Sequence, residues 1–249
     1  MDRILYVASN GAARILEQQS ALANNLANTT TTGFRAVLDV YRAVPVQPAA
    51  GEMPTRVTTV LASHQAHLGQ GAVVETGNAL DAAMAGDGWF TVRTPEGEAY
   101  TRAGRFTVND NGELVTATGA VVLSVDGQPI ELPERGTPTI AEDGQISALG
   151  AGDHPADLQL VGQLKLVNPP AEQLRRRADG LFSLPGSEVA PADERLRILP
   201  GFVENSNVEP AAAMVALIAN ARAFEQHMKF IQTADENDQR SNAILSAAG

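Results

Sequence analysis

Apolar residues recur in steps of three and four over residues 3 to 28. Leu5, Ala8, Ala12, Ile15, Leu22 and Leu26 share one stripe, with Gln19 in one slot. That period predicts a helix with a narrow contact face, as in a coiled-coil seam. Gly11 interrupts it at a cost of up to about 1 kcal/mol. The helix should end near Asn28, where four threonines disfavour helix and Gly33 permits a left-handed turn. The same steps return after Pro210, a natural helix start: Met214, Leu217, Ala221, Phe224, Met228, Ile231 and Leu245. Asp235, Asp238 and Asn242 take the seam positions beyond Ile231, so the apolar signal fades there. This second helix should measure roughly 50 Å at 1.5 Å per residue. Stripes this narrow cannot wrap a globular core; they suit packing on one or two partner helices.

The period changes between about residues 70 and 200. Short β-prone runs alternate with turn pairs: Asn111-Gly112, Asp126-Gly127, Asp143-Gly144 and Asp179-Gly180. Such pairs supply the positive φ angles of tight hairpins. Among the runs between them are Ala120–Leu123, Gln159–Val167 and Leu196–Leu199. The spacing predicts antiparallel β structure. Pro45, Pro48 and Pro54 interrupt residues 35 to 69, which should be extended with little helix. The fold class is therefore α+β. Two long terminal helices pair as a coiled-coil-like inner domain, with an antiparallel β-rich domain inserted between them. The expected division is 1–33 with 209–249 for the helices, 34–69 for an extended arm, and 70–208 for the β-rich part.

Composition narrows the function. The chain has 249 residues, 44% of them apolar, with a single tryptophan. Acidic residues number 29 against 18 basic ones, a formal charge of −11. That balance argues against nucleic acid as a partner, which demands Lys and Arg to displace counterions. Arg175-Arg176-Arg177 is the one basic run and reads as a solvated face. Cysteine is absent, which removes disulfides and thiolate chemistry. No run is long and apolar enough for a transmembrane segment, and the N-terminus lacks a signal-peptide core. His64 and His67 could share a helix face but have no third ligand nearby; His154 and His227 are isolated. No metal, cofactor or catalytic residue is assigned.

Four motifs then carry a resemblance. Asn24-Asn25-Leu26-Ala27-Asn28 is followed by Thr31-Thr32-Gly33-Phe34. Gly86-Asp87-Gly88-Trp89-Phe90 comes next, then Tyr100-Thr101-Arg102-Ala103-Gly104-Arg105-Phe106. Gly201-Phe202-Val203-Glu204-Asn205-Ser206-Asn207-Val208 precedes the last helix. In this order they resemble the axial rod and hook proteins of the bacterial flagellum. Met1 to Tyr6, Phe34 to Ala36 and Arg42 to Val46 are most similar to the proximal rod branch, with the distal rod and hook proteins as alternatives. The match to Gly-Asp-Gly-Phe-Phe is imperfect, since Trp89 stands in place of a phenylalanine.

The resemblance implies a structural subunit of the basal-body rod, assembled helically with copies of itself and with other rod proteins, the distal rod protein included. It implies that the terminal helices form an inner tube. The subunit interface would then include Leu5, Ile15, Leu22, Asn24, Asn25, Leu26 and Asn28, with Asn205, Asn207, Met214, Leu217, Phe224, Met228 and Ile231 from the other end. It also implies a rod crossing the periplasm, reached through the flagellar type III export gate without a cleaved signal. Phe34 and Leu38 match the short Phe-x-x-x-apolar element that this gate recognises. Read without the family, Phe34 and Leu38 pack the arm, and the asparagines cap a helix end.

Two other classes compete. A secreted β-rich hydrolase could pair Asp87 with Glu96 or Glu98 for acid–base work. A soluble assembly factor could bind rod proteins without joining the axis, though it would not need two seam helices. The Gly86–Gly88 stretch reads as a tight turn entering a strand. Arg102 and Arg105 read as hydrogen-bond partners for turn carbonyls or subunit contacts.

Overall fold

The computed structural model describes residues 2–45, 57–133, 136–150 and 159–247. Val46, Pro48, Pro54 and His154 lie outside the described residues, as do the side chains of Leu5, His64 and Leu245. In chain order, α1 (Asp2–Ala27) is followed by β1 (Val37–Pro45), β2 (Val57–Ala66), β3 (Val73–Glu75), β4 (Ala82–Met84), β5 (Trp89–Thr94), β6 (Gly97–Thr101), β7 (Phe106–Val108), β8 (Leu114–Thr116) and β9 (Val121–Val122). Then come β10 (Gly136–Ile140), β11 (Gln145–Gly150), β12 (Gln159–Gln163), β13 (Leu166–Val167), β14 (Arg175–Arg176), β15 (Phe182–Ser183), β16 (Ile198–Pro200), β17 (Phe202–Glu204) and α2 (Pro210–Ala247). The class is α+β, with a helix at each end and antiparallel strands between.

The chain divides into two units. One holds residues 1–27, 37–67 and 209–249; the other holds 28–36 and 68–208.

In the first unit, α1 and α2 pack against each other in antiparallel sense. Asn220, 6% exposed, donates from Nδ2 to the Ile15 carbonyl at 2.9 Å. Four residues back along α1, Gly11 meets His227 of α2 so closely that a Cβ would stand 2.7 Å from the imidazole. Gly11 thus makes room for a partner side chain, which gives a reason for a residue that costs helix stability. The contact side of α1 follows the expected stripe: Ala8 and Ala12 are buried, and Ile15, Gln19, Leu22 and Leu26 half-buried. On α2 the seam runs through Ala213, Leu217, Asn220, Phe224, His227 and Ile231, whereas Met214, Ala221 and Met228 are exposed. The expected stripe is correct at Leu217, Phe224 and Ile231 and wrong between them. An alanine, an asparagine and a histidine occupy the seam in place of Met214, Ala221 and Met228, the neighbours that apolar spacing picks out.

The hairpin of β1 and β2 also packs on α1. Tyr41 Oη donates to the Arg14 carbonyl at 3.3 Å, and the Asn10 amide donates to Thr58 Oγ1.

In the second unit, a sheet runs β14-β15-β6-β5-β9-β8-β7, with β13 also on β5. A three-stranded sheet β10-β11-β12 and the pairs β16–β4 and β17–β3 complete the strands. All pairings are antiparallel. The turn glycines take the expected conformation, from φ +74° at Gly127 to +85° at Gly180. The core is aliphatic, with Phe90 and Phe106 meeting edge to face at 5.2 Å. Lys165 is buried and holds both oxygens of Glu98, at 3.0 and 2.9 Å.

Buried Tyr100 donates to Glu98 at 3.1 Å and accepts from the Ala190 N–H at 2.8 Å. Burial pushes its phenol up from 10.0 to about 12. A raised folded-state pKa means that the unfolded chain loses this proton first as pH rises. Stability from this group is complete below pH 10 and lost as pH climbs toward about 12. Alkaline unfolding curves of the wild type and Tyr100→Phe should therefore diverge in slope across that window. Parallel curves would show that Tyr100 has no such shift.

Candidate functional site

From Asn28 onward, the motifs picked out along the sequence meet inside the second unit. Asn28 and Thr31 close the chain after α1 with two contacts, Thr31 N to the Asn28 carbonyl at 3.2 Å and Thr31 Oγ1 to Asn28 Oδ1 at 3.1 Å. Gly33 then takes φ +70°, and its N–H donates to the Glu204 carbonyl at 2.7 Å. No side chain could stand there: a Cβ on Gly33 would lie 2.2 Å from Ala103 N. Gly104, in the third motif, is just as tightly held, since a Cβ would lie 1.6 Å from the Ala82 carbonyl oxygen.

Three charges lie at the centre. Arg35 is 1% exposed, Arg102 3% and Glu204 0%. Glu204 Oε1 lies 2.6 Å from Arg35 Nη2 and accepts the Gly71 N–H at 2.8 Å. Its Oε2 accepts from Arg102 Nη1 at 3.1 Å, and the same nitrogen donates to the Gly86 carbonyl at 2.8 Å. Arg102 therefore does hold a turn carbonyl; Arg105 is exposed, and its backbone bridges Asp81. Burial lowers the Arg102 pKa, and Glu204 opposes that shift.

Trp89 packs against both cations. Its ring centroid is 5.9 Å from the Arg35 guanidinium carbon and 5.3 Å from that of Arg102, with Phe182 at 4.7 Å. A wider indole face suits cation–π contact better than a phenyl ring. This accounts physically for tryptophan in the slot where the motif has phenylalanine.

Asn207 ties the segments further. Its Oδ1 accepts the Ala36 N–H at 2.8 Å, its Nδ2 donates to Gly69 O at 2.8 Å, and its own N–H reaches Phe34 O at 3.3 Å. Asn205 N donates to Ala72 O at 2.9 Å. The segment leaving α1 and the segment leading into α2 are thus stitched to each other.

The remaining expected site residues are distributed differently. Asn25 is 7% exposed, and its amide both donates to and accepts from the Val37 backbone at 2.8 Å, within the chain. Asn24 is exposed, as are Met214 at 52% and Met228 at 39%. Leu38 is exposed on β1. Phe34 is half-buried beneath the Arg176 guanidinium, 5.1 Å from its centroid. That corrects the reading of Arg175 to Arg177 as a solvated face. Arg176 packs on Phe34, and Arg177 pairs with Glu96 and Asp179 at 2.8 Å each; only Arg175 is exposed. Of the carboxylates considered for hydrolysis, Glu96 pairs with Arg177 and Glu98 with Lys165, and Asp87 is exposed. Among the described residues no helix is long and apolar enough to cross a membrane.

Sequence reasoning missed Arg35 and Glu204 as a pair. The only signal was one charge just after the first motif and one inside the last, each in an otherwise uncharged, turn-rich stretch, 169 positions apart.

Comparison with known proteins coincides with these motifs. Residues 5–35 match the family model described as flagella basal body rod protein. Residues 83–148 match the flagellar hook protein FlgE/F/G D1 domain, and 199–244 the C-terminal model of the flagellar basal body rod FlgEFG proteins. The flagellar basal-body rod proteins FlgF of Salmonella typhimurium and Escherichia coli are each 42% identical over 99% of both chains. The FlgG protein of Bacillus subtilis is 29% identical over 95% of this chain.

Proposed function

Since the chain belongs to the flagellar basal-body rod protein family and is a structural subunit of that rod, we propose that it assembles helically with other rod proteins and transmits torque from motor to hook. The observation that carries this is the match along the whole chain, 42% identical over 99% of two FlgF relatives, against 31% and 29% for two FlgG relatives. That difference favours the FlgF branch, which we read as the proximal rod protein, over FlgG, read as the distal one.

The terminal helices supply the inner tube by coiled-coil-like pairing, and the β-rich residues 70–208 supply the outer part, with 34–69 as the arm. Met214, Met228 and Asn24 meet neighbouring subunits, together with the outward portions of Leu22, Leu26, Leu217, Phe224 and Ile231. The exposure of Met214, Val215, Ile218, Met228 and Phe230 on α2 supports this. A helix with this much apolar surface gains most of its stability from packing. The subunit reaches the periplasm through the flagellar type III export gate, with Phe34 and Leu38 as the recognised element.

Two substitutions on the outer face of α2 test the interface. In the source bacterium, Met214→Asp with Ile218→Asp should abolish swimming in soft agar while the purified chain keeps its unfolding midpoint. Normal swimming by that strain would remove α2 from the subunit contacts.

A further inference from the structure

The buried Arg35–Glu204–Arg102 cluster is not electrically balanced. Two buried guanidiniums face one buried carboxylate; the exposed Asp87 also acts on the charge of Arg102, but no other carboxylate among the described residues forms an ion pair with either. Glu204 already serves Arg35 Nη2 and the Gly71 N–H through Oε1 and Arg102 Nη1 through Oε2. Arg35 is 1% exposed, yet Nε and Nη1 have no hydrogen-bond acceptor among the described residues; only Nη2 meets one, Glu204 Oε1 at 2.6 Å. Arg102 Nε is likewise without an acceptor. Buried donors in this state are costly, and a buried net charge more so.

We infer that Arg35 and Arg102 form a site for one small monovalent anion of the halide class beside Trp89. Burial selects the size: a carboxylate or phosphate ester of another macromolecule cannot reach a guanidinium with 0% side-chain exposure. Charge selects the class. A water molecule would accept the orphaned N–H bonds but would leave the extra positive charge in place, whereas a halide ion answers both. The Trp89 ring, 5.9 and 5.3 Å from the two guanidinium carbons, offsets part of the charge but accepts none of those in-plane N–H bonds. This inference does not depend on the rod function.

Trp89 is the chain's single tryptophan and is 4% exposed, so it reports on the site alone. The full chain is titrated with sodium bromide against sodium gluconate at constant ionic strength. Bromide is a heavy-atom quencher, and gluconate is too large to enter. Bound bromide should quench Trp89 emission along a saturating curve that chloride reverses. Above half-saturation the unfolding constant should fall about tenfold per tenfold rise in bromide, one ion being taken up on folding. A shallow, linear quench with equal stability in bromide, chloride and gluconate would overturn the inference and assign water to these donors. Saturable quenching that persists unchanged in folded Arg35→Met would also overturn it, because the ion would then sit elsewhere.

Discussion

Glu204→Ala should lower the stability of the β-rich unit by about 3 to 5 kcal/mol, the range for breaking a buried ion pair from one side. The carboxylate is wholly buried, and its loss strands Arg35 and Arg102 among apolar and aromatic groups together with the Gly71 N–H. Domains are stable by only about 5 to 15 kcal/mol, so the effect is a large fraction of the whole. Trp89 lies in contact with both cations, which makes denaturant unfolding followed by its emission the natural measurement. Glu204→Gln keeps an acceptor for Gly71 and should cost less than alanine. A midpoint for the alanine variant within about 0.5 kcal/mol of wild type, the level of an ordinary surface change, would show that the cluster does not hold the unit together.

Gly33→Ala should be nearly as damaging, and Gly77→Ala shows why. Both glycines adopt φ +70°, so both replacements incur the same left-handed backbone cost of about 1 to 2 kcal/mol. At Gly77 nothing lies within 4 Å of the new methyl group. At Gly33 that methyl would stand 2.2 Å from Ala103 N and 2.4 Å from the Arg102 carbonyl carbon, both backbone atoms in the third motif. Overpacking of this kind adds about 1 to 3 kcal/mol. It also displaces the Gly33 N–H from the Glu204 carbonyl. Equal unfolding midpoints for the two alanine variants would mean that only the turn, and not the close approach, matters at position 33.

What could be read beforehand was local. Asp-Gly and Asn-Gly pairs carry their turn conformation with them, so Gly112, Gly127, Gly144 and Gly180 were placed correctly. The α1 stripe was legible because Ile15, Leu22 and Leu26 mark it with large apolar side chains. The α2 seam was less so, because Ala213, Asn220 and His227 pack by shape and hydrogen bonding instead of hydropathy. The hairpin of β1 and β2 escaped because prolines punctuate that region, and their interruption of the chain outweighed its alternating burial. The pairings β16–β4 and β17–β3 join residues more than a hundred positions apart, and no hairpin signal reports such distance. For the same reason four motifs were visible one by one, while their meeting around Glu204 was not. The family resemblance identified the motifs; the glycines and charges explain why they are built as they are.

The most direct measurement is quantitative mass spectrometry of hook–basal bodies detached and purified from the source bacterium. A rod subunit should be recovered in a fixed ratio to the other rod proteins and stay with them through repeated washing. Its absence from the particles, with the chain found only in the soluble fraction, would contradict the account.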